Sequence, residues 1–194
     1  MDDVLTDWTR RLADDLDAVR LFDLPFRSTT YRVFLLPGCL QVDLSFTPAS
    51  EFRAHGPRFR LLFGSARERD DVPESSPRDL FGLAVHHAVR ARLCIERGRW
   101  WQAEYWISGV RDYALSLACR RRGLAAAHGR GFDDLPPDVL TGASTAIVRS
   151  LERAELLRAL DSAVAALVRE SDEVRDVAAE VEARLRELTS PSWA

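Results

Sequence analysis

Leu35-Leu36-Pro37-Gly38-Cys39-Leu40-Gln41-Val42-Asp43-Leu44-Ser45-Phe46-Thr47-Pro48 is the stretch whose reading decides the fold. Pro37-Gly38 supplies the central residues of a type II turn: proline presets φ at the first position and glycine accepts a positive φ at the second. Beyond the turn, Leu40, Val42, Leu44 and Phe46 alternate with Gln41, Asp43 and Ser45, and a period of two gives a strand with one apolar and one polar face. Asp43 stands on the polar face. Working outward, 31–36 reads as the partner strand and 18–24 as a further extended segment, so three segments, 18–24, 31–36 and 39–46, make a small sheet.

Upstream, Val4, Leu5, Trp8, Leu12 and Leu16 recur at helical spacing, which predicts an amphipathic helix over 2–16. Downstream, residues 47–76 are rich in Pro, Gly, Arg, Asp and Ser, and their apolar patch from Phe59 to Phe63 is expected to add one more strand. The charged run Arg67 to Glu74 reads as a domain boundary. Ser76 as N-cap with Pro77 at the first helical position then starts a helix. Helices are expected at 77–97, 100–121, 137–144, 150–170 and 172–188. Ala103, Ile107, Val110, Ala114 and Leu117 form one core stripe and Leu156, Leu160, Val164 and Leu167 another. The fold class is therefore α+β, with a small sheet and one flanking helix over 1–75 and an antiparallel helical bundle over 76–194.

A chain of 194 residues with 46% hydrophobic residues, 10 Gly and 9 Pro can build a real core, which excludes a disordered or collagen-like chain. The net charge of −3 gives no chain-wide basic footprint, so neither nucleic acid nor a membrane is expected as partner. All 27 basic residues are arginine, which excludes a Schiff-base, P-loop or kinase-type lysine. Cys39, Cys94 and Cys119 lie far apart and form no CxxC pair, so neither a zinc site nor a disulfide framework is indicated. An acidic start and the lack of a long apolar run predict no signal peptide or membrane span, and a reducing cytoplasm fits.

Several residues can carry chemistry. Asp43 interrupts an apolar strand, as a solvated edge position or as a ligand. Glu104 and Arg111 lie seven apart with Ser108 between them, on one face of a helix. Trp100, Trp101, Tyr105, Trp106 and Tyr113 are either bundle core or a stacking wall for a base or sugar ring. Adjacent His86 and His87 point about a hundred degrees apart and cannot chelate one metal. His87 shares a face with Leu80, Ala84 and Cys94 and reads as a packed histidine, whereas His86 aligns with Arg90 and Arg97 on a solvated or anion-contacting strip. The spacing of Arg122 and His128 is similar to the arginine–histidine pair of HEPN ribonucleases, but Gly123 and Gly129 place the two in a helix end and a loop.

The stretch 35–48, with the helix before it and Phe59-Arg60-Leu61-Leu62-Phe63-Gly64 after it, resembles small-molecule nucleotidyltransferases of the polymerase-beta superfamily, the group of aminoglycoside and lincosamide adenylyltransferases. The segment from Arg97 through Arg111 and the segment His128 to Pro136 also look like that family, so the resemblance spans nearly the whole chain. It implies a two-metal site in which three aspartates hold Mg²⁺ ions that bridge the triphosphate of ATP, with a Gly-Ser turn cradling the phosphates. Asp43 corresponds to the third aspartate. The resemblance also implies a bundle that closes over an aminoglycoside-like small-molecule acceptor, with Glu104 as general base and Trp101 and Arg111 as binding residues.

The chain departs from that pattern at its start, where the family's Gly-Ser turn and Asp-x-Asp pair would precede the first helix. Only Met1, Asp2 and Asp3 stand before Val4, and adjacent aspartates cannot share a strand face. Gly64-Ser65 reads as a loop glycine, because the acids behind it, Glu68, Asp70 and Asp71, form no Asp-x-Asp on a strand. The chain alone is thus expected not to transfer nucleotides, and Mg²⁺ and ATP are implied by the resemblance only. A truncated gene start, a non-catalytic binding or dimerisation module, and a HEPN-like ribonuclease are the alternatives. A sheet without its usual neighbouring strands is also expected to expose an edge through which two copies pair.

Overall fold

The computed structural model describes residues 2–54, 59–67 and 75–190, and the chain divides into two units, Met1–Val72 and Pro73–Ala194. Acids Glu68, Asp70 and Asp71, with most of the charged boundary run, lie outside the described residues. The architecture is mixed and mostly helical: an antiparallel sheet of three strands in the first unit, helices packed on helices in the second.

In the first unit α1 (Asp2–Leu16) leads into β1 (Val19–Phe26), β2 (Thr29–Leu36) and β3 (Leu40–Phe46), in sheet order β1-β2-β3. Register follows from the turn: Leu36 pairs with Leu40 and Val33 with Asp43 across a three-residue connection, Pro37–Cys39. Gly38 takes φ 75° and ψ 15°, as the second central residue of a type II turn requires, and Cys39 adds a second left-handed residue at φ 62°. The expected strand at Phe59 to Phe63 does not form. The run lacks the alternation that would give it a buried face, and Leu62 and Phe63 are exposed.

Phe34 and Val33 are buried on β2, but a charged residue organises the unit. Arg32, buried itself, donates from Nε and Nη2 to the two carboxylate oxygens of Asp23 on β1, both at 2.6 Å. Its Nη1 reaches α1, bonding the Leu5 carbonyl and the Thr9 hydroxyl at 2.9 Å each. Of the apolar stripe expected on α1, Leu5 is buried while Val4, Trp8 and Leu16 are exposed, so the polar clasp supplements a thin apolar contact. The guanidinium beside it holds the Asp23 carboxyl below the usual carboxylate range.

The second unit contains α2 (Pro77–Glu96), α3 (Trp100–Arg121), α4 (Pro137–Ser144), α5 (Arg153–Arg169) and α6 (Arg175–Thr189). The Ser76 hydroxyl accepts from the Asp79 N–H at 3.0 Å and Pro77 opens α2, as its sequence requires. Both α2 and α3 end in Schellman closures. Gly98 (φ 64°) lets the Arg99 N–H reach the Cys94 carbonyl at 2.9 Å, and Gly123 (φ 66°) lets the Leu124 N–H reach Cys119 at 2.9 Å. The core joins α2, α3, α5 and α6 through Phe81, Ile95, Ile107, Val110, Leu156, Leu160 and Leu185. Helix α5 starts three residues later than expected because the preceding loop is clamped from outside a helix. Arg158 donates to the carbonyls of Thr145 and Ile147, and Glu155 accepts from the Arg149 N–H at 3.0 Å. No helix among the described residues is long and apolar enough to cross a membrane.

Candidate functional site

Asp43 lies mid-way along β3, exposed, on the face opposite the one Arg32 presents to α1. The Gln41 amide, two residues back on the same face, donates to both Asp43 oxygens at 3.0 and 3.3 Å. No arginine among the described residues pairs with it. One carboxylate and one carboxamide can offer a divalent ion two side-chain oxygens, whereas a pair of Mg²⁺ ions needs carboxylates bridging two octahedral shells. The described residues bring no group of three or more His, Cys, Asp or Glu together, so the described residues by themselves do not fit a two-ion centre.

On α3, the Ser108 hydroxyl donates to Glu104 Oε1 at 2.8 Å, and Glu104 is half-buried without a guanidinium partner among the described residues. Arg111 does not turn back to Glu104. Its Nε and Nη2 donate to Asp112 at 3.1 and 2.9 Å. The helix face is shared as its spacing requires, but Glu104 and Arg111 do not form an ion pair. Trp101 is 77% exposed and Tyr105 64%, so neither is bundle core. Trp106 and Tyr113 are half-buried and Trp100 lies against Gly98.

Across the α2–α3 hairpin, positions equally far from Gly98 meet, so His87 lies on Gly109 and Arg90 over Trp106. A Cβ at position 109 would sit 2.2 Å from His87 Nδ1. The imidazole is held edge-to-face by Trp106 at 4.7 Å and Tyr113 at 5.0 Å, and its buried Nδ1 has no hydrogen-bond partner among the described residues. Burial lowers the His87 pKa, with His86 adding a smaller push in the same direction. His87 is therefore a packed histidine, as its helical position predicts. The neighbours that decide this are on α3.

Arg122 caps α3 and donates to the Ala118 carbonyl at 2.8 Å and to Glu170 at 3.1 Å. His128 lies beyond the Gly123 closure, exposed, with φ 56° in the short turn Ala127–Gly129. The two are not on one helix face, and the arginine is engaged by a buried carboxylate that Arg121 also contacts at 3.1 Å. Arg90 was not marked by sequence reading as an aromatic partner; its guanidinium sits 5.7 Å from the Trp106 ring centre. The signal was present, since Arg90 and Trp106 are each eight residues from Gly98, but using it requires knowing that the hairpin turns there. Compared with known proteins, the chain matches no family model and no curated sequence.

Proposed function

We propose that the chain is nucleotidyltransferase-like, related in design to enzymes that transfer AMP from ATP to a small-molecule hydroxyl, and that it does not turn over alone. In this reading the first unit is a partial nucleotidyltransferase sheet with Asp43 as a divalent-cation ligand. Glu104 is the base toward an acceptor hydroxyl, and Trp101 and Arg111 bind the acceptor. The observation that carries it is that Asp43 and Glu104 have no guanidinium partner among the described residues, in a chain of 27 arginines whose Asp23, Glu155 and Glu170 are each gripped by one or more. A carboxylate left without a cation of the chain's own is available to an external one or to a proton in transfer. The three cysteines are unpaired, in keeping with a cytoplasmic setting.

Backbone NMR with Mn²⁺ as probe tests the ligand assignment. Paramagnetic broadening should centre on residues 41–45 and vanish in Asp43→Asn; broadening that ignores Asp43 refutes it. Pyrophosphate release from MgATP with an aminoglycoside panel should stay at background for the wild-type chain. Turnover that Asp43→Asn abolishes would overturn the incompleteness.

A dimerisation module is the second reading, favoured by the edge strand β1. Val19, Phe22, Leu24 and Phe26 on it are all more than half exposed. An apolar edge of this kind is normally covered. Sedimentation should show a dimer that Phe22→Arg dissociates; a monomer at high concentration excludes this reading.

A further inference from the structure

The α2–α3 hairpin carries exposed rings and exposed arginines that bundle packing does not explain, joined where Arg90 lies over Trp106 and Tyr105 meets the same ring. On α3, Trp101 and Tyr105 stand outward one helical turn apart, and Tyr105 meets half-buried Trp106 edge-on at 5.0 Å. Along α2 and the turn run Arg90, Arg97 and Arg99, all exposed. None of these three pairs with a carboxylate among the described residues, whereas Arg92, Arg121, Arg122, Arg153 and Arg158 of the same bundle each hold one. Of the nearby acids, Glu96 faces Arg92 and Arg153, Asp112 faces Arg111, and half-buried Glu104 accepts from Ser108. With Glu104 set against Arg90, Arg97 and Arg99, a chain with a net charge of −3 still carries an excess of positive charge beside exposed rings here.

We propose that this face binds single-stranded nucleic acid, with phosphates on Arg90, Arg97 and Arg99 and bases stacked on Tyr105 and Trp101, a use of Trp101 that is exclusive of the acceptor contact in the reading above. Three features select that occupant. Charge complementarity requires an anion. Exposed rings favour planar groups, and base stacking on an aromatic side chain contributes about 1–3 kcal/mol per base whatever the base. The repetition requires an extended ligand: ring positions one helical turn apart are separated by about 6 Å along the axis, close to the spacing of successive nucleotides, so a mononucleotide would leave one ring and two cations unused. Two cavities, about 660 Å³ at Arg153 to Ser190 and about 390 Å³ at Ser75 to Ala127, are lined by none of these rings or arginines, and exposed rings beside exposed cations are what single strands use. A net charge summed over the chain does not register where the charges sit, so it leaves room for a local site of this kind.

Fluorescence anisotropy of the full chain with a labelled oligouridylate of about 12 nucleotides is the test. The log of the binding constant should fall with log salt at a slope of about −2, the value for three phosphate contacts on a single strand. Arg90→Ala should weaken binding and make the slope shallower by about 0.7. Tyr105→Ala, at an exposed position that leaves the fold intact by circular dichroism, should weaken binding by about 5- to 100-fold. Arg175→Ala on α6, an exposed arginine away from the face, should change nothing. Absence of binding at low salt overturns the proposal. So does equal competition by inorganic polyphosphate without loss in Tyr105→Ala, which marks a generic polyanion site, or equal binding of uridine monophosphate, which marks a mononucleotide site. Tighter binding of a duplex of the same length overturns it as well.

Discussion

Gly109→Ala tests the closest approach in the bundle. Alanine in mid-helix is favoured over glycine by about 1 kcal/mol, so at an unconstrained site this substitution stabilises. Here the added methyl would lie 2.2 Å from His87 Nδ1 and 2.8 Å from Cε1, far inside van der Waals contact. The imidazole cannot swing away without leaving the edges of Trp106 and Tyr113, at 4.7 and 5.0 Å. Overpacking of that kind costs about 1–3 kcal/mol, which exceeds the propensity gain, and the net expectation is a loss of about 1 kcal/mol. The same change in a His87→Ala background meets no ring and should stabilise by up to about 1 kcal/mol, giving a coupling of about 2 kcal/mol between the two sites. Urea denaturation of the four proteins followed by far-ultraviolet circular dichroism measures the cycle, and a melting shift of about 2–4 °C per kcal/mol gives an independent reading. If Gly109→Ala alone stabilises, or if the two substitutions are additive, the helices do not approach as described.

Acid should also act through the same histidine. Its folded-state pKa is lowered from 6.5, so the unfolded chain takes up the proton first; this contribution is whole above 6.5, is lost as pH falls through the folded pKa, and should be absent in His87→Ala. Glu155, drawn down from 4.5 to about 2 chiefly by Arg158, contributes stability that is whole above 4.5 and lost toward pH 2. The unscreened shift corresponds to about 3 kcal/mol, reduced to about 1 kcal/mol at this partly solvated position, and Glu155→Gln should remove it on a stability–pH curve. Arg32→Met should destabilise the first unit by about 3 kcal/mol because it leaves Asp23 with only the more exposed Arg20 and α1 without its polar anchor, seen as early hydrogen exchange in residues 19–36. Asp43→Asn should leave thermal stability unchanged, since only Gln41 contacts the carboxylate.

What the sequence made legible was whatever depends on neighbours along the chain. The alternation from Leu40 to Phe46 placed β3 and set Asp43 on its outer face, Ser76-Pro77 placed the start of α2, and Gly123 placed the end of α3. The patch at Phe59 to Phe63 misled because it is apolar without alternating, so it offers no single face for a sheet to bury. The buried charges were invisible. Arg32 looks like any polar residue in an alternating strand and Arg92 like a solvated helix position, yet both are buried because their partners, Asp23 with the Leu5 carbonyl and Glu96 with the Ser190 carbonyl, come from other turns or elements. The same holds at the candidate site. Spacing put Glu104 and Arg111 on one face correctly, and the choice of Arg111 for Asp112 was a matter of rotamers that spacing does not encode. The aromatic cluster divided in two: Trp106 and Tyr113 turn inward to His87, while Trp101 and Tyr105 stay in water.

The clasp at Arg32 has an evolutionary consequence. Its guanidinium grips α1 by a main-chain carbonyl, that of Leu5, and by a hydroxyl that serine could supply in place of Thr9. A backbone acceptor is present whatever the side chain, so most letters of α1 are free to drift while the helix keeps its seat. Two homologues could therefore share the clasp and have few identities in their first sixteen positions. A library randomised over the exposed sites of α1, selected for folding, should return nearly every residue type there while keeping Arg32 and Asp23 fixed.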